Sequence, residues 1–159
     1  MGNLFDFTWS ISQVNLAPFF LCPWVSVKMK RTELSELELP TMREELLSYM
    51  GGLSDANYQY RAWVEHSLPE SGYDKLDYTV HFLYDDTGLA KDPYAWIGVV
   101  LRNTEEASSM AALVSAIDVV FDKYGVDLSD KDYLEKKEWQ LVVDKAKSAL
   151  EVLLCDGKG

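Results

Sequence analysis

The segment between Asn103 and Gly125 carries the clearest structural signal in this chain. Its apolar residues recur at three- and four-residue intervals, which places them on one face of an α-helix. They are Met110, Leu113, Val114, Ile117, Val120 and Phe121. Asn103 can serve as the N-cap, Glu106 follows it in a capping-box-like pattern, and Gly125 is a typical C-terminal signal. A long amphipathic helix is therefore predicted, and its apolar face must pack against other elements.

The chain before this segment shows further helical patterns separated by turn residues. Pro40 suits the first turn of a helix, because its missing N–H would be unpaired at that position anyway. The pair Gly51–Gly52 is predicted to end this first helix. Ser54 is predicted to cap a second helix that runs through Trp63, with Asp55 in its first turn.

Two segments between these helices and Asn103 are also predicted to be helical. Residues 73–83 include aromatic and β-branched side chains that would suit a strand, but their apolar residues have helical spacing. Asp92–Pro93 predicts the start of another helix, which continues through Leu101. Gly98 inside that helix costs about 1 kcal/mol relative to alanine, so we expect it to allow a close contact with a neighbouring helix.

The C-terminal part completes the helical pattern. Ser129 and Asp132 repeat the cap pattern before a short segment. The last helix is predicted to carry one apolar face, formed by Trp139, Val142, Val143, Ala146, Leu150, Leu153 and Leu154. The predicted fold class is all-α, a compact bundle of about six or seven short to medium helices joined by short loops.

The N-terminal stretch differs in composition from the rest of the chain. Asp6 is the only charged residue before position 28, and the stretch lacks the basic region and cleavage site of a signal peptide. Its apolar run is interrupted by prolines and is too short to span a bilayer. We interpret residues 1–28 as an apolar arm or extension and residues 29–159 as a single α-helical domain. The arm either packs on the domain, associates with a membrane, or belongs to an over-long reading frame whose natural start is Met29. The domain itself is expected to be cytoplasmic, without stable membrane insertion.

Net charge restricts the partners of the chain. Fifteen Lys and Arg residues against 26 Asp and Glu residues give a net charge of −11. Such a field repels nucleic acids and anionic lipid headgroups, and it attracts basic proteins. Direct nucleic-acid binding is therefore not expected, and a basic protein is the favoured class of partner.

Motifs for catalysis, metal binding or cofactor binding are absent from the sequence. The two cysteines, Cys22 and Cys155, do not form a CxxC pair, and neither a Walker loop nor a GxGxxG motif occurs. His81 and Asp85 could lie on one helix face, but structural metal sites usually need four ligands. No cofactor, metal site or enzymatic activity is predicted.

Acidic and tyrosine residues alternate between positions 73 and 94. Tyrosine offers a large contact area with a polar tip, and clustered carboxylates can pair with Lys or Arg of a partner. This composition is typical of a surface that holds a basic protein, although aspartates that cap helices and tyrosines that face the core would give the same pattern. The candidate partner-binding residues are Asp74, Asp77, Asp85, Asp86, Tyr73 and Tyr84.

Four short blocks of the sequence occur in an order that is typical of a known family. They are Leu53–Val64, His81–Thr87, Asp92–Pro93 with Ile97–Gly98, and Glu138–Trp139 with the helix that follows. The chain resembles, through these blocks, a family of small, acidic, largely uncharacterised bacterial proteins with α-helical folds. The resemblance covers roughly residues 40–154 and provides no catalytic motif. Size, acidity and helical content are also similar to immunity proteins of polymorphic-toxin and contact-dependent inhibition systems, by analogy alone.

Together these patterns predict a non-enzymatic binding protein, with toxin neutralisation as the leading role. In this interpretation an acidic, tyrosine-bearing face covers the basic substrate-binding surface of a toxin, with a nuclease as the favoured class of toxin. One alternative is a small regulatory or housekeeping domain that acts by self-association or by binding another cellular protein. Another is a divalent-metal hydrolase that uses the acids between positions 74 and 92.

Overall fold

The structure, a computed structural model, describes residues 36–68 and 72–155. The interpretation of residues 1–28 as an arm lies outside the described residues. Within the described ranges the chain forms six α-helices and no β-strand, which confirms the all-α prediction. The helices are α1 (Pro40–Ser54), α2 (Ala56–Gln59), α3 (Leu76–His81), α4 (Thr104–Tyr124), α5 (Asp130–Leu134) and α6 (Trp139–Leu154).

The three long helices form the core. Helix α6 packs against both α1 and α4, and each of the three contributes fully buried apolar side chains. Most of the predicted apolar face of α6 is buried, because Trp139, Val142 and Val143 lie inside together with later residues of the same helix. The shorter elements cover the remaining edges of this core. No helix of the described ranges is long and apolar enough to cross a membrane.

Several predicted helix ends are confirmed. Pro40 occupies the first turn of α1. The Asn103 Oδ1 atom accepts a hydrogen bond of 2.9 Å from the backbone N–H of Glu106, and Ser129 caps α5 through the N–H of Asp132. Gly125 ends α4 with a φ of 81°, a left-handed conformation that glycine adopts without steric cost.

The junction between α1 and α2 differs from the prediction. Gly51 and Gly52 do not end α1, which continues to Ser54. Asp55 is the N-cap of α2, because its Oδ1 atom accepts hydrogen bonds from the N–H groups of Asn57 and Tyr58. A carboxylate on extended backbone satisfies two N–H groups of the first turn, whereas the Ser54 hydroxyl donates back to Gly51 within α1.

The predicted helix over 73–83 is present but displaced. It begins at Leu76, because Lys75 has an extended backbone, and it continues beyond α3 as a π-helical turn, Phe82–Asp86. A second π-helical turn, Tyr60–Val64, continues α2 in the same way. Both turns keep the hydrogen-bonded backbone helical beyond the short α-helices.

The predicted helix from Asp92 to Leu101 was wrong. Asp92 does accept a hydrogen bond from the N–H of Tyr94, but only a 3₁₀ turn, Pro93–Trp96, follows. The chain then extends at Ile97, which forms an isolated bridge with Leu101. Gly98 does not mediate a close helix contact, since a Cβ atom there would meet nothing within 4 Å. Its φ of +86° is the reason that glycine suits this turn.

Candidate protein-binding surface

The six candidate partner-binding residues differ in exposure. Asp77, Asp85, Asp86 and Tyr73 are exposed, whereas Asp74 and Tyr84 are half-buried. The six residues lie on α3, on the π-helical turn that follows it and on the segment just before it. Their contacts separate them into an exposed acidic group around His81 and Tyr84, and a tyrosine-lined group around Asp74.

His81 lies between two carboxylates on the exposed face of α3. Its Nδ1 atom is 2.6 Å from Asp85 Oδ2, and its Nε2 atom is 3.4 Å from Asp77 Oδ1. The hydrogen bond to Asp85, followed by the charge of Asp77, raises the pKa of His81 above its ordinary value. Because this pKa is raised in the folded state, the contact stabilises the fold below pH about 6.5, and the contribution is lost as the pH rises through the folded-state pKa.

The arrangement around His81 gives a test of the surface geometry. In an NMR titration we expect the pKa of His81 to exceed about 6.5. Asp85→Asn should lower that pKa more than Asp77→Asn, because the hydrogen bond to Asp85 is the larger cause of its rise. Asp127→Asn, which alters an exposed carboxylate that does not act on His81, is the control. The same pKa in all four proteins would contradict this geometry.

Tyr84 connects the π-helical turn to α4. Its hydroxyl donates a hydrogen bond of 2.7 Å to Asp118 Oδ1, and its ring lies 6.3 Å from the ring of Phe121. Burial, then the hydrogen bond and charge of Asp118, and then the charge of Asp122 raise the pKa of Tyr84. Tyr84 therefore has a packing role, and the structure brings the carboxylates of Asp118 and Asp122 beside it.

Sequence reasoning missed Asp118 and Asp122 as members of this group. They lie one helical turn apart on α4 and are exposed, as expected for the polar face of an amphipathic helix. Nothing in the local sequence indicates that this face adjoins Tyr84, because the contact depends on tertiary packing. We define the acidic surface as Asp77, Asp85, Asp86, Asp118 and Asp122.

Asp74 is held by three hydrogen bonds from uncharged donors. Its Oδ2 atom accepts 2.9 Å bonds from the Tyr58 hydroxyl and the Trp63 indole N–H, and its Oδ1 atom accepts one from the Lys75 backbone N–H. Burial and the hydrogen bond to Asp74 raise the pKa of Tyr58 to about 12. Asp74 therefore has a structural role that its position in the sequence did not indicate.

Tyr73 belongs to an aromatic group close to Asp74. Its ring stacks on His66 at a centroid distance of 5.6 Å and meets Tyr78 edge-on at 6.2 Å. The Lys75 ammonium lies 5.5 Å from the centroid of the Tyr73 ring, which is cation–π geometry. His66 has a φ of 51°, so a non-glycine residue adopts a left-handed conformation beside this ring.

A buried ionic network inside the bundle was not predicted. Arg43 of α1 is fully buried and pairs with Glu106 of α4 through two hydrogen bonds of 2.8 and 2.9 Å. The Nε atom of Arg102 also donates to Glu106, and both arginines donate to the carbonyl of Leu153. Burial raises the pKa of Glu106, but the hydrogen bonds and charge of Arg43 and the hydrogen bonds from Arg102 outweigh it and hold the pKa below its ordinary value. The network joins α1, α4 and the end of α6.

The same network explains a departure at the start of α4. In a complete capping box the Glu106 carboxylate would accept from the backbone N–H of Asn103. It instead accepts from the backbone N–H of Arg102 and from the two arginine side chains. The Asn103 cap was therefore predicted correctly, whereas the glutamate serves the ionic network.

The side chains that can bind a metal ion do not cluster in the part of the chain that the structure describes. No group of three or more His, Cys, Asp or Glu side chains there is arranged to hold a metal ion. The His81 imidazole, which suggested such a site, is engaged by two carboxylates alone. These two carboxylates and one imidazole are fewer than the four ligands that structural metal sites usually have.

Comparisons with known proteins place the chain in a family without an assigned activity. Residues 37–158 match a family model described as Domain of unknown function (DUF7945). No curated protein and no solved structure matches the chain significantly. The resemblance to an uncharacterised family over roughly 40–154 agrees with this match.

Proposed function

We propose that this chain, which belongs to the family described as Domain of unknown function (DUF7945), is a non-enzymatic protein-binding domain that neutralises a basic toxin. The observation that carries the proposal is the acidic surface. It combines exposed carboxylates of α3, of the π-helical turn Phe82–Asp86 and of α4, in a chain whose net charge is −11. The carboxylates surround two neighbouring side chains. Asp77, Asp85 and Asp86 raise the pKa of His81. Asp118 and Asp122 raise the pKa of Tyr84.

The mechanism that fits this surface is occlusion. A nuclease must present basic side chains to hold phosphates, so an acidic inhibitor competes for the same surface. Charge complementarity of this kind acts mainly on the association rate and on partner choice. Because nucleic acid is the substrate of such a toxin, the proposal includes a cytoplasmic location for the complex.

Binding to the protein encoded beside this gene tests the proposal. Full-length chain and the double variant Asp85→Lys/Asp86→Lys are measured for association rate over a range of salt concentrations. We expect the variant to associate roughly tenfold more slowly, or slower still, at low salt. The two rates should approach each other as the Debye length falls from about 30 Å at 0.01 M to about 8 Å at 0.15 M.

The matched control is Asp127→Lys/Asp144→Lys. Both residues are exposed, and this variant has the same change in net charge outside the acidic surface. It should lose less of the association rate. Both variants should still unfold cooperatively near the wild-type midpoint, apart from the contribution of the His81–Asp85 contact that Asp85→Lys removes. If both double variants slow association equally, net charge alone is responsible. If the neighbouring protein does not bind at all, the toxin role is wrong, and concentration-dependent self-association then tests the alternative.

A further inference from the structure

A groove of about 310 Å³ lies between α1 and the start of α3. We call it the tyrosine groove, because four tyrosines line it: Tyr49, Tyr58, Tyr73 and Tyr78. Asp74 lines it as well. Tyr49 and Tyr58 pack against the hydrophobic core, whereas Tyr73 and Tyr78 are 55% and 43% exposed. The groove therefore has two fixed aromatic residues and two that solvent or a partner can reach.

The carboxylate in this groove has no cationic partner within the described residues. Asp74 accepts hydrogen bonds only from a hydroxyl, an indole N–H and a backbone N–H. Both lone pairs of Oδ2 are used, and Oδ1 retains one free acceptor position. A cation placed beside Oδ1 would gain a charge-assisted hydrogen bond, which is about twice as strong as a neutral one.

The aromatic residues complement the same kind of ligand. Tyrosine ring faces attract cations, and the Lys75 ammonium already lies 5.5 Å from the Tyr73 centroid. Further negative charge comes from Glu45 and Asp86, which together with Asp74 act on Tyr49. The groove thus combines aromatic rings with nearby negative charge, in a chain whose net charge is −11.

We infer that the tyrosine groove binds a single arginine side chain of a basic protein partner. His66 and Lys75 already engage the Tyr73 ring, so the exposed ring that a guanidinium group can stack on is Tyr78. One N–H group of that guanidinium can then reach Asp74 Oδ1, whereas a lysine ammonium is compact and strongly hydrated and has no planar face to stack. This inference rests on the proposed function, because it assigns to the partner one residue that inserts beside the acidic surface. It adds a specificity site to a surface that otherwise acts through charge.

Trp63 provides a direct readout of binding. Its indole N–H donates to Asp74, so a ligand at this carboxylate should shift the indole ¹H–¹⁵N signal. The indole of Trp139 donates to Gln59 in the core and serves as the internal reference. Full-length ¹⁵N-labelled protein is titrated with the blocked peptide Gly-Gly-Arg-Gly-Gly and with the same peptide carrying lysine or citrulline. Trp63→Phe assigns the signal.

We expect the arginine peptide to shift the Trp63 signal in a saturable way and the Trp139 signal not at all. Tyr78→Ala should weaken this binding about three- to fivefold by removing one ring face. Tyr94→Ala, a similarly exposed tyrosine outside the groove, should leave it unchanged. A Trp63 signal that does not move, or that moves equally with arginine, lysine and citrulline, would overturn the inference.

The peptide titration and the binding test of the proposed function can give different results, so a failure of one can be distinguished from a failure of the other. If the arginine peptide binds but the neighbouring protein does not, the groove is an arginine site and the toxin role is wrong. If Asp85→Lys/Asp86→Lys slows association with that protein while the peptide fails to shift Trp63, the acidic surface stands and the groove inference is wrong.

Discussion

Replacing Arg43 with methionine is expected to lower the free energy of unfolding by about 3–5 kcal/mol, the usual cost of removing one partner from a buried ion pair. Arg43 is fully buried, and its guanidinium donates to both carboxylate oxygens of Glu106 and to the carbonyls of Val100 and Leu153. Methionine fills much of the space but donates nothing, so Glu106 and both carbonyls lose a donor inside the core. Chemical denaturation with a common slope for wild type and variant gives the difference.

Two further variants separate the ionic role of Arg43 from its packing. Arg61→Met changes an exposed arginine and should alter the free energy of unfolding by no more than about 0.5 kcal/mol. In Arg43→Met the buried Glu106 carboxylate keeps only Arg102 as a cationic partner among the described residues. Arg43→Met/Glu106→Leu removes that carboxylate, while Arg102 retains its hydrogen bonds to the carbonyls of Leu153 and Cys155. The double variant should therefore recover part of the stability that Arg43→Met loses. A single variant Arg43→Met within about 1 kcal/mol of wild type would show that the network does not hold the three long helices together.

Helical periodicity predicted the long helices because each buries one continuous apolar face. Helix α4 follows its predicted pattern from the Asn103 cap to Gly125, and α6 follows its pattern from Trp139. The short elements were less predictable. Asp92–Pro93 has the same local signal as a true helix start, but the extended conformation of Ile97 and the positive φ of Gly98 end the helix after one 3₁₀ turn.

The partners of buried polar residues could not be predicted from local sequence. Arg43 lies on the buried face of α1, at helical spacing from Leu46 and Met50. Its partner Glu106 lies 63 positions away, so no local pattern relates the two. Asp74 also has partners that its own segment does not indicate. Its hydrogen-bond donors Tyr58 and Trp63 belong to the preceding helical segment. The sequence did identify the acidic and tyrosine-rich region, because composition is a local property, but the packing separates its exposed carboxylates from its structural ones.

Replacing Gln59 with methionine is expected to cost about 2–4 kcal/mol of unfolding free energy, since buried polar groups that lose their partner cost about 1–3 kcal/mol each. Gln59 is fully buried at the end of α2. Its amide N–H donates to the carbonyls of Gly52 and Leu53 at the end of α1, and its Oε1 atom accepts from the Trp139 indole at the start of α6. One side chain therefore joins three helices, and an apolar replacement of similar size leaves the indole N–H and the Leu53 carbonyl without this partner.

The matched control is Gln140→Met, one residue after Trp139. Among the described residues its amide bonds only to Asp144, on the exposed face of α6. Its replacement should therefore change the unfolding free energy by no more than about 0.5 kcal/mol. The Trp139 indole signal gives a second measurement. It should move in Gln59→Met, because its acceptor is gone, and stay in place in Gln140→Met. Equal stability of the two variants would mean that Gln59 fills space without organising the junction of α1, α2 and α6. A large loss of stability with an unchanged Trp139 signal would instead assign the effect to the carbonyls of α1 alone.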